Sequence, residues 1–220
     1  MSGLYEGDSR FAKDLPEMLM QTHEARLSAL RAALAEAGLH GFVVPICDEH
    51  MSEYVGSYAQ RLEWLTGFGG SAGTAVVLAN TAAIFIDGRY TIQVRQQVDA
   101  RLFTPVGIAE QSVLAWIAEH APDGARIGFD PWLHGADWVR QLKAALVAKG
   151  GEAVPVASNP IDAIWSDQPE RSDAKLAVHG LDHAGESSAD KRARIAQWMT
   201  GKGLDATVIT ALDSVAWLFN

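Results

Sequence analysis

The sequence contains a single cysteine, Cys47, and no long hydrophobic run. One cysteine cannot form a disulfide within the chain, which is typical of proteins in a reducing compartment. No apolar stretch approaches the roughly 20 residues that cross a bilayer, and the first residues lack the basic start and apolar run of a signal peptide. We therefore expect a cytoplasmic protein with no membrane partner.

Basic residues are also scarce, with 18 Lys and Arg against 27 Asp and Glu and a net charge of −9. Nucleic-acid binding needs a dense basic surface, so we expect no nucleic-acid partner. Hydrophobic residues make up 48% of the 220 positions, which favours a packed core over disorder. At roughly 100–200 residues per domain, the length fits one domain, or one domain and part of a second.

The first predicted helix begins at Thr22, a suitable N-cap, and ends before Gly38, a residue type that readily adopts the left-handed conformation of a helix terminus. Helical spacing places three leucines on its apolar face: Leu27, Leu30 and Leu34.

Helical and extended patterns then alternate. Further helices are predicted over residues 60–65, 89–98, 111–120 and 137–149, and strands over residues 42–46, 74–79, 82–87, 102–106, 126–129 and 153–157. Only Asn80 and Thr81 separate the second and third strands, which indicates an antiparallel hairpin. The pattern predicts a layered α/β domain with a mixed sheet, in which four hairpin side chains are buried: Val76, Val77, Ile84 and Ile86.

Residues 159–172 differ in composition from the preceding segment, and we interpret them as a linker that Ile164 and Trp165 anchor. Beyond it the chain repeats its opening, because Gly38–Pro45 aligns with Gly203–Thr210 at an offset of 165 positions. The repeat predicts a helix over residues 188–200 and a strand over residues 206–210. Chance similarity is the alternative, since helix-glycine-strand units are common in α/β proteins.

The sequence therefore predicts four parts. They are an N-terminal extension over residues 1–21, a first domain over residues 22–158, a linker over residues 159–172, and the truncated beginning of a second, similar domain over residues 173–220.

No segment carries a familiar catalytic motif. The glycine-rich stretch Gly67–Gly73 lacks the Gly-Lys-Ser/Thr ending of a phosphate-binding loop, so we interpret it as a tight turn before a strand. His50 with its acidic neighbours, and His179 with His183, lack the spacing of a metal site and are interpreted as solvated loop residues. Cys47 follows a predicted buried strand, which favours a buried structural thiol over a nucleophile.

Five strings are more specific than these motifs. They are Asp48–Tyr54 (DEHMSEY), Thr66–Ala75 (TGFGGSAGTA), Ile86–Tyr90 (IDGRY), Ile164–Arg171 (IWSDQPER) and Thr210–Asn220 (TALDSVAWLFN). In this order they closely resemble the N-terminal region of the long, three-domain Xaa-Pro aminopeptidases of the creatinase/prolidase superfamily. The resemblance extends over residues 22–220.

The resemblance implies an α/β, mixed-sheet creatinase/prolidase N-terminal domain, which is ribonuclease H-like, followed by the start of a second similar domain. In this family a C-terminal domain holds two metal ions, usually manganese, on two Asp, two Glu and one His. That domain hydrolyses the bond between any first residue and a following proline. None of these ligands has a counterpart here, so we expect no catalytic residue, no metal site and no activity in this chain, with the metal ions in a missing C-terminal domain.

The resemblance also implies roles for the N-terminal domains, which in this family help to form dimers and wall the entrance to the active site. An arginine before the glycine-rich turn is a candidate to contact substrate or a partner subunit, and Arg61 occupies that position. Family members usually place two basic or polar residues there, whereas this sequence has Gln60-Arg61-Leu62. We expect Arg61 on the surface, and a homodimeric full-length protein that acts on peptides with proline at the second position.

Two other functions remain open at this point. The chain fits a stand-alone protein- or peptide-interaction module of the same fold without catalysis, or part of a prolidase or creatinase with another substrate. The string Ser166–Arg171 is characteristic of the three-domain type and argues against the latter. A downstream ligand set of two Asp, one His and two Glu would distinguish an enzyme from a module.

Overall fold

A computed structural model describes residues 22–220, so the extension predicted over residues 1–21 lies outside the described residues. The strands are β1 (Gly41–Pro45), β2 (Gly73–Leu78), β3 (Ala82–Ile86), β4 (Thr104–Gly107), β5 (Arg126–Phe129) and β6 (Glu152–Pro155). The helices are α1 (His23–Glu36), α2 (Arg61–Thr66), α3 (Thr91–Gln97), α4 (Val113–His120), α5 (Ala136–Val147), α6 (Pro160–Ile164), α7 (Leu181–Ala184), α8 (Ser188–Gly201) and α9 (Leu212–Phe219).

The strands form one mixed sheet in the order β4-β3-β2-β1-β5-β6. β2 pairs antiparallel with β1 and β3, whereas the pairs β3–β4, β1–β5 and β5–β6 are parallel. Within this sheet β2 alone therefore opposes the other strands. The predicted mixed sheet and its hairpin are confirmed, and four hairpin side chains are at most 3% exposed: Val76, Val77, Ile84 and Ile86.

Helices cover both faces of the sheet, because successive side chains of a strand point in opposite directions. On β1, Phe42 and Val44 face a core shared with α1, α2, α3 and α6, while Val43 faces a core shared with α4 and α5. β2 and β3 divide their side chains between the same two apolar cores, and the α/β layering follows from this division of the central strands.

The first predicted helix is confirmed as α1. The Thr22 hydroxyl accepts the N–H of Ala25 at 3.2 Å, and Gly38 follows the helix with a φ of +64°. A side chain with a Cβ rarely adopts this φ, so the glycine allows the chain to turn into β1. The predicted apolar face is buried: Leu27, Leu30 and Leu34.

Helix α8 has the same local structure as α1 at an offset of 165 positions. Each helix has 14 residues, and the Ser187 hydroxyl caps α8 as Thr22 caps α1. Gly203 has a φ of +65°, which matches that of Gly38. The helix and glycine of the sequence repeat therefore form equivalent structures.

The strand predicted over residues 206–210 is wrong, since that segment forms no strand. β1, its counterpart in the repeat, is hydrogen-bonded to β2 on one side and β5 on the other. Among residues 22–220 no strand pairs with residues 206–210. A lone extended segment has no ladder partner for its N–H and C=O groups, so its sequence preference alone does not produce a strand.

Residues 160–165 hold the chain against the helical layer on the α1 side of the sheet. Ile161 is fully buried and Trp165 is 8% exposed. The Trp165 ring stacks on Trp64 of α2, with ring centroids 5.3 Å apart and an interplanar angle of 22°. This stack fixes α6 beside α2, which brings the carboxylate of Asp162 to Arg61.

None of the helices described here has the length and apolar character needed to cross a bilayer.

A candidate binding cleft beside Arg61

The carboxyl ends of β1, β5 and β6 meet at one edge of the sheet, because these neighbouring strands are parallel. The loops that leave them, together with α2 and α6, line a cleft of about 700 Å³. Six of the lining side chains are ionisable: Glu49, His50, Arg61, Asp130, Asp162 and Arg171.

Arg61, the predicted contact residue, lies in the wall of this cleft and is only 8% exposed. The expected surface position is therefore wrong. The reason is an ion pair with Asp162, in which Nε donates to Oδ1 at 2.6 Å and Nη2 donates to Oδ2 at 2.8 Å. Two parallel, charge-assisted bonds of this kind fix the guanidinium in orientation as well as position.

Arg61 remains positively charged in its buried position, because nearby carboxylates stabilise the guanidinium. Burial alone would lower the pKa of Arg61, but the hydrogen bonds to Asp162 and the charges of Asp130 and Glu49 raise the pKa above its ordinary value. Its third nitrogen, Nη1, is buried and has no hydrogen-bond partner among residues 22–220. Asp162 is itself shared, because Gln168 donates to its Oδ1 at 3.0 Å.

Glu49 carries a second ion pair of the cleft. Tyr58 donates a hydrogen bond to Glu49 Oε2 at 3.2 Å, and Arg171 pairs with Oε1. The Arg171 guanidinium also lies 4.8 Å from the centre of the Tyr58 ring. Burial would raise the pKa of Glu49, but its hydrogen bonds and the charge of Arg171 lower the pKa below its ordinary value.

The loop after β1 is organised by Asp48, which is 3% exposed. Its Oδ1 accepts the N–H groups of His50 and Ser52 at 3.0 and 2.9 Å, an arrangement typical of an Asx turn. Burial would raise the pKa of Asp48, but these hydrogen bonds lower it. The interpretation of this acidic cluster as solvated is wrong for Asp48, whereas the His50 side chain is 44% exposed.

Asp130 organises the loop after β5 in a similar way. Its Oδ1 accepts the N–H of Trp132 at 3.0 Å, and its Oδ2 accepts a hydrogen bond from Asn159 at 3.0 Å. Asp130 is 8% exposed, while the adjacent Trp132 is 72% exposed and lines the cleft. The turn thus holds a large aromatic ring against open solvent.

A smaller cavity of about 300 Å³ includes Cys47 and His134 in its lining. Cys47 is half-buried rather than buried. Burial and the charge of Asp48 raise the pKa of its thiol, which disfavours the thiolate that a nucleophile requires. Burial lowers the pKa of His134, whose ring stacks on Trp138 with centroids 4.1 Å apart.

Two further candidates from the sequence are the glycine-rich stretch Gly67–Gly73 and the pair His179 and His183. Gly67 has a φ of +81° and ends α2, and β2 begins at Gly73, so the glycine-rich stretch is a turn before a strand as predicted. The rings of His179 and His183 are 5.3 Å apart. Over residues 22–220 no three or more His, Cys, Asp or Glu side chains are grouped as metal ligands would be.

The sequence pointed to Arg61 and to the segment around His50 but not to three other ionisable residues of the cleft. Asp162 and Arg171 lie in the segment interpreted as a linker, and Asp130 follows β5. Asp162 is 101 residues from Arg61, and neither its residue type nor its spacing indicated a partner. A usable signal was the carboxyl-end position of Asp130, because loops after parallel strands converge at one edge.

Comparisons with known proteins match nearly the whole described chain. A family model described as the Creatinase/Prolidase N-terminal domain matches residues 26–164, and a second model with the same description matches residues 167–220. Xaa-Pro aminopeptidase 2 of Rattus norvegicus is 33% identical over 198 residues, which cover 89% of this chain and 29% of the rat protein. Xaa-Pro aminopeptidase ApepP of Drosophila melanogaster is 35% identical over 195 residues, which cover 87% of this chain and 32% of the fly protein.

Solved structures of peptidases are also similar to this chain. The X-prolyl aminopeptidase of Caenorhabditis elegans, described as a cytosolic enzyme with a di-nuclear active site, superposes with a TM-score of 0.79 and 29% identity. The match covers 90% of this chain and 34% of the worm enzyme. The N-terminal domain of the cytoplasmic peptidase PepQ of Mycobacterium tuberculosis matches with a TM-score of 0.50 and 27% identity, over 64% of this chain and 98% of that domain. The chain thus spans about a third of the length of the full-length aminopeptidases it matches.

Proposed function

Because this chain belongs to the creatinase/prolidase N-terminal domain family, we propose that it serves as the N-terminal, non-catalytic portion of a metal-dependent Xaa-Pro aminopeptidase. The observation that carries the proposal is the match to the Caenorhabditis elegans enzyme over 90% of this chain, at a TM-score of 0.79. Identities of 33–35% to further Xaa-Pro aminopeptidases support the same activity for the whole protein. The substrates of that protein would be peptides with proline at the second position.

By this proposal, the catalytic metal ions are bound by a different domain of the full-length protein. A di-nuclear hydrolase needs a cluster of carboxylate and imidazole ligands, and residues 22–220 contain no group of three or more candidate ligands. Two divalent ions, manganese by our proposal, would therefore be held by a C-terminal domain. We assign no step of hydrolysis to the residues of this chain.

The proposed contribution of this chain is to dimerisation and to access to the active site of a cytoplasmic homodimer. Arg61 remains the candidate contact residue for substrate or partner subunit. Its ion pair with Asp162 and its position in the cleft wall support a fixed guanidinium rather than a mobile surface side chain.

The direct test compares this chain with the full-length gene product on an Xaa-Pro peptide in the presence of Mn²⁺. We expect the full-length protein to release the first residue and this chain to give no turnover above buffer. Turnover by the chain that survives repurification would contradict a non-catalytic role. A full-length protein that lacks both the activity and the ligand set of two Asp, one His and two Glu would instead support an interaction module.

A further inference from the structure

The cleft beside Arg61 lies where the topology of the sheet changes direction. From β1 the chain continues through β2, β3 and β4 on one side of the sheet, whereas β5 and β6 lie on the other side. The loops after the parallel strands β1 and β5 therefore diverge, and they leave a crevice between them. In open α/β sheets, ligands bind in such crevices outside the carboxyl ends of the strands.

Two buried polar atoms of residues that line this crevice have no hydrogen-bond partner among residues 22–220: Arg61 Nη1 and Glu49 Oε1, of which Oε1 lies in the ion pair with Arg171. Arg61 uses Nε and Nη2 for Asp162, but Nη1 is buried without a hydrogen bond to any residue that the structure describes. Arg61 itself is more than nine-tenths buried. A buried N–H group without an acceptor is unfavourable, so an acceptor oxygen from a ligand would complete the site.

The charges of the cleft restrict the chemical class of the ligand that supplies this acceptor oxygen. Besides His50, the lining holds three carboxylates and two guanidinium groups. The pairs Arg61–Asp162 and Arg171–Glu49 leave Asp130 as the carboxylate of the lining that forms no ion pair, although its charge acts on Arg61. An anionic ligand would add a second uncompensated negative charge, and an ammonium ion would offer no acceptor to Nη1.

An amide group satisfies both requirements without adding charge, because its C=O accepts and its N–H donates. The exposed ring of Trp132, with Leu133, Ala157 and Ala163, provides an apolar wall for the group next to that amide. A cleft of about 700 Å³ has room for two or three residues of a peptide.

We propose that this cleft binds the main chain of a peptide, with a peptide carbonyl accepting from Arg61 Nη1 and Trp132 covering an adjacent side chain. The choice of a peptide over other amides rests on the proposed function, but binding requires neither metal nor hydrolysis. The site therefore belongs to this chain alone and is independent of the catalytic step.

The test is a titration of the metal-free chain, labelled with ¹⁵N, with the capped tripeptide N-acetyl-Ala-Ala-Ala-amide. We expect saturable shifts, with millimolar affinity, for residues 130–133 and 157–163 and for the Trp132 indole. Ala163→Trp fills the cleft from an exposed position on α6 and should weaken binding at least tenfold. The control Ala144→Trp, at an exposed position on α5, should leave the affinity unchanged.

Arg61→Lys tests the proposed contact, because it keeps a cation beside Asp162 and removes Nη1. We expect at least fivefold weaker binding with an unchanged circular dichroism spectrum. Shifts confined to other residues, no binding at 20 mM peptide, or equal effects of Ala163→Trp and Ala144→Trp would overturn the proposal. Tighter binding of acetate or methylammonium at the same residues would overturn the choice of an amide. Absence of peptidase activity in the full-length protein would affect the proposed function only.

Discussion

The ion pair between Arg61 and Asp162 gives the most direct test of the structure. Arg61→Ala removes both charge-assisted hydrogen bonds, formed at 2.6 and 2.8 Å, and leaves the Asp162 carboxylate with Gln168 as a donor. If Arg61 were a surface residue, as the sequence suggested, the substitution would have little effect on stability. Because Arg61 is 8% exposed, we expect a clear loss of stability.

The magnitude follows from the burial of the two partners. Breaking a fully buried pair by removing one member costs about 3–5 kcal/mol, whereas an exposed pair contributes about 0–1 kcal/mol. The Asp162 side chain is 35% exposed, so water partly compensates the carboxylate that remains. We therefore expect a decrease in the free energy of unfolding of about 2–3 kcal/mol, or a fall in Tm of about 4–12 °C.

Urea denaturation followed by tryptophan fluorescence measures this decrease, with Arg89→Ala as the matched control. Arg89 also forms a bidentate pair, with Asp87, but its side chain is 67% exposed. We expect no measurable change in the control. If Arg61→Ala destabilises the chain no more than Arg89→Ala does, the assignment of a buried, structural ion pair is refuted.

Three further predictions follow from individual contacts. Trp165→Ala removes the ring that stacks on Trp64, and we expect a loss of about 3–5 kcal/mol in urea denaturation, whereas a loss below about 1 kcal/mol would argue against the stack. Burial lowers the pKa of His134 below the ordinary 6.5, so near that pH the unfolded chain binds a proton that the folded chain does not. The free energy of unfolding should therefore decrease as pH falls below about 6.5. An NMR titration should give His134 a pKa under that value. Ser187→Ala removes the cap to the Asp190 N–H and should weaken the first turn of α8 by about 1 kcal/mol, seen as faster hydrogen exchange there; unchanged exchange would contradict this role of the cap.

Local sequence determined the elements whose stabilising contacts lie close together in the chain. α1 could be predicted because its N-cap at Thr22 and the terminal glycine Gly38 act within one helical turn. The repeat predicted α8 over residues 188–200, and the structure places its N-cap at Ser187 and its terminal glycine at Gly203. The hairpin of β2 and β3 was predictable for a related reason, since two apolar strands joined by a very short connection have one favourable pairing.

Contacts between segments distant in sequence decided the features that local sequence did not, namely the conformation of residues 206–210 and the burial of Arg61. Residues 206–210 have the composition of a strand, but a strand also requires a neighbour to complete its hydrogen bonds, and residues 22–220 supply none there. The position of Arg61 depends on Asp162, 101 residues away, which only the packing of α6 against α1 and α2 brings into contact. The sequence by itself determined local backbone conformation and the family signature. The tertiary structure decided which side chains are buried together, because burial depends on every element that packs against them.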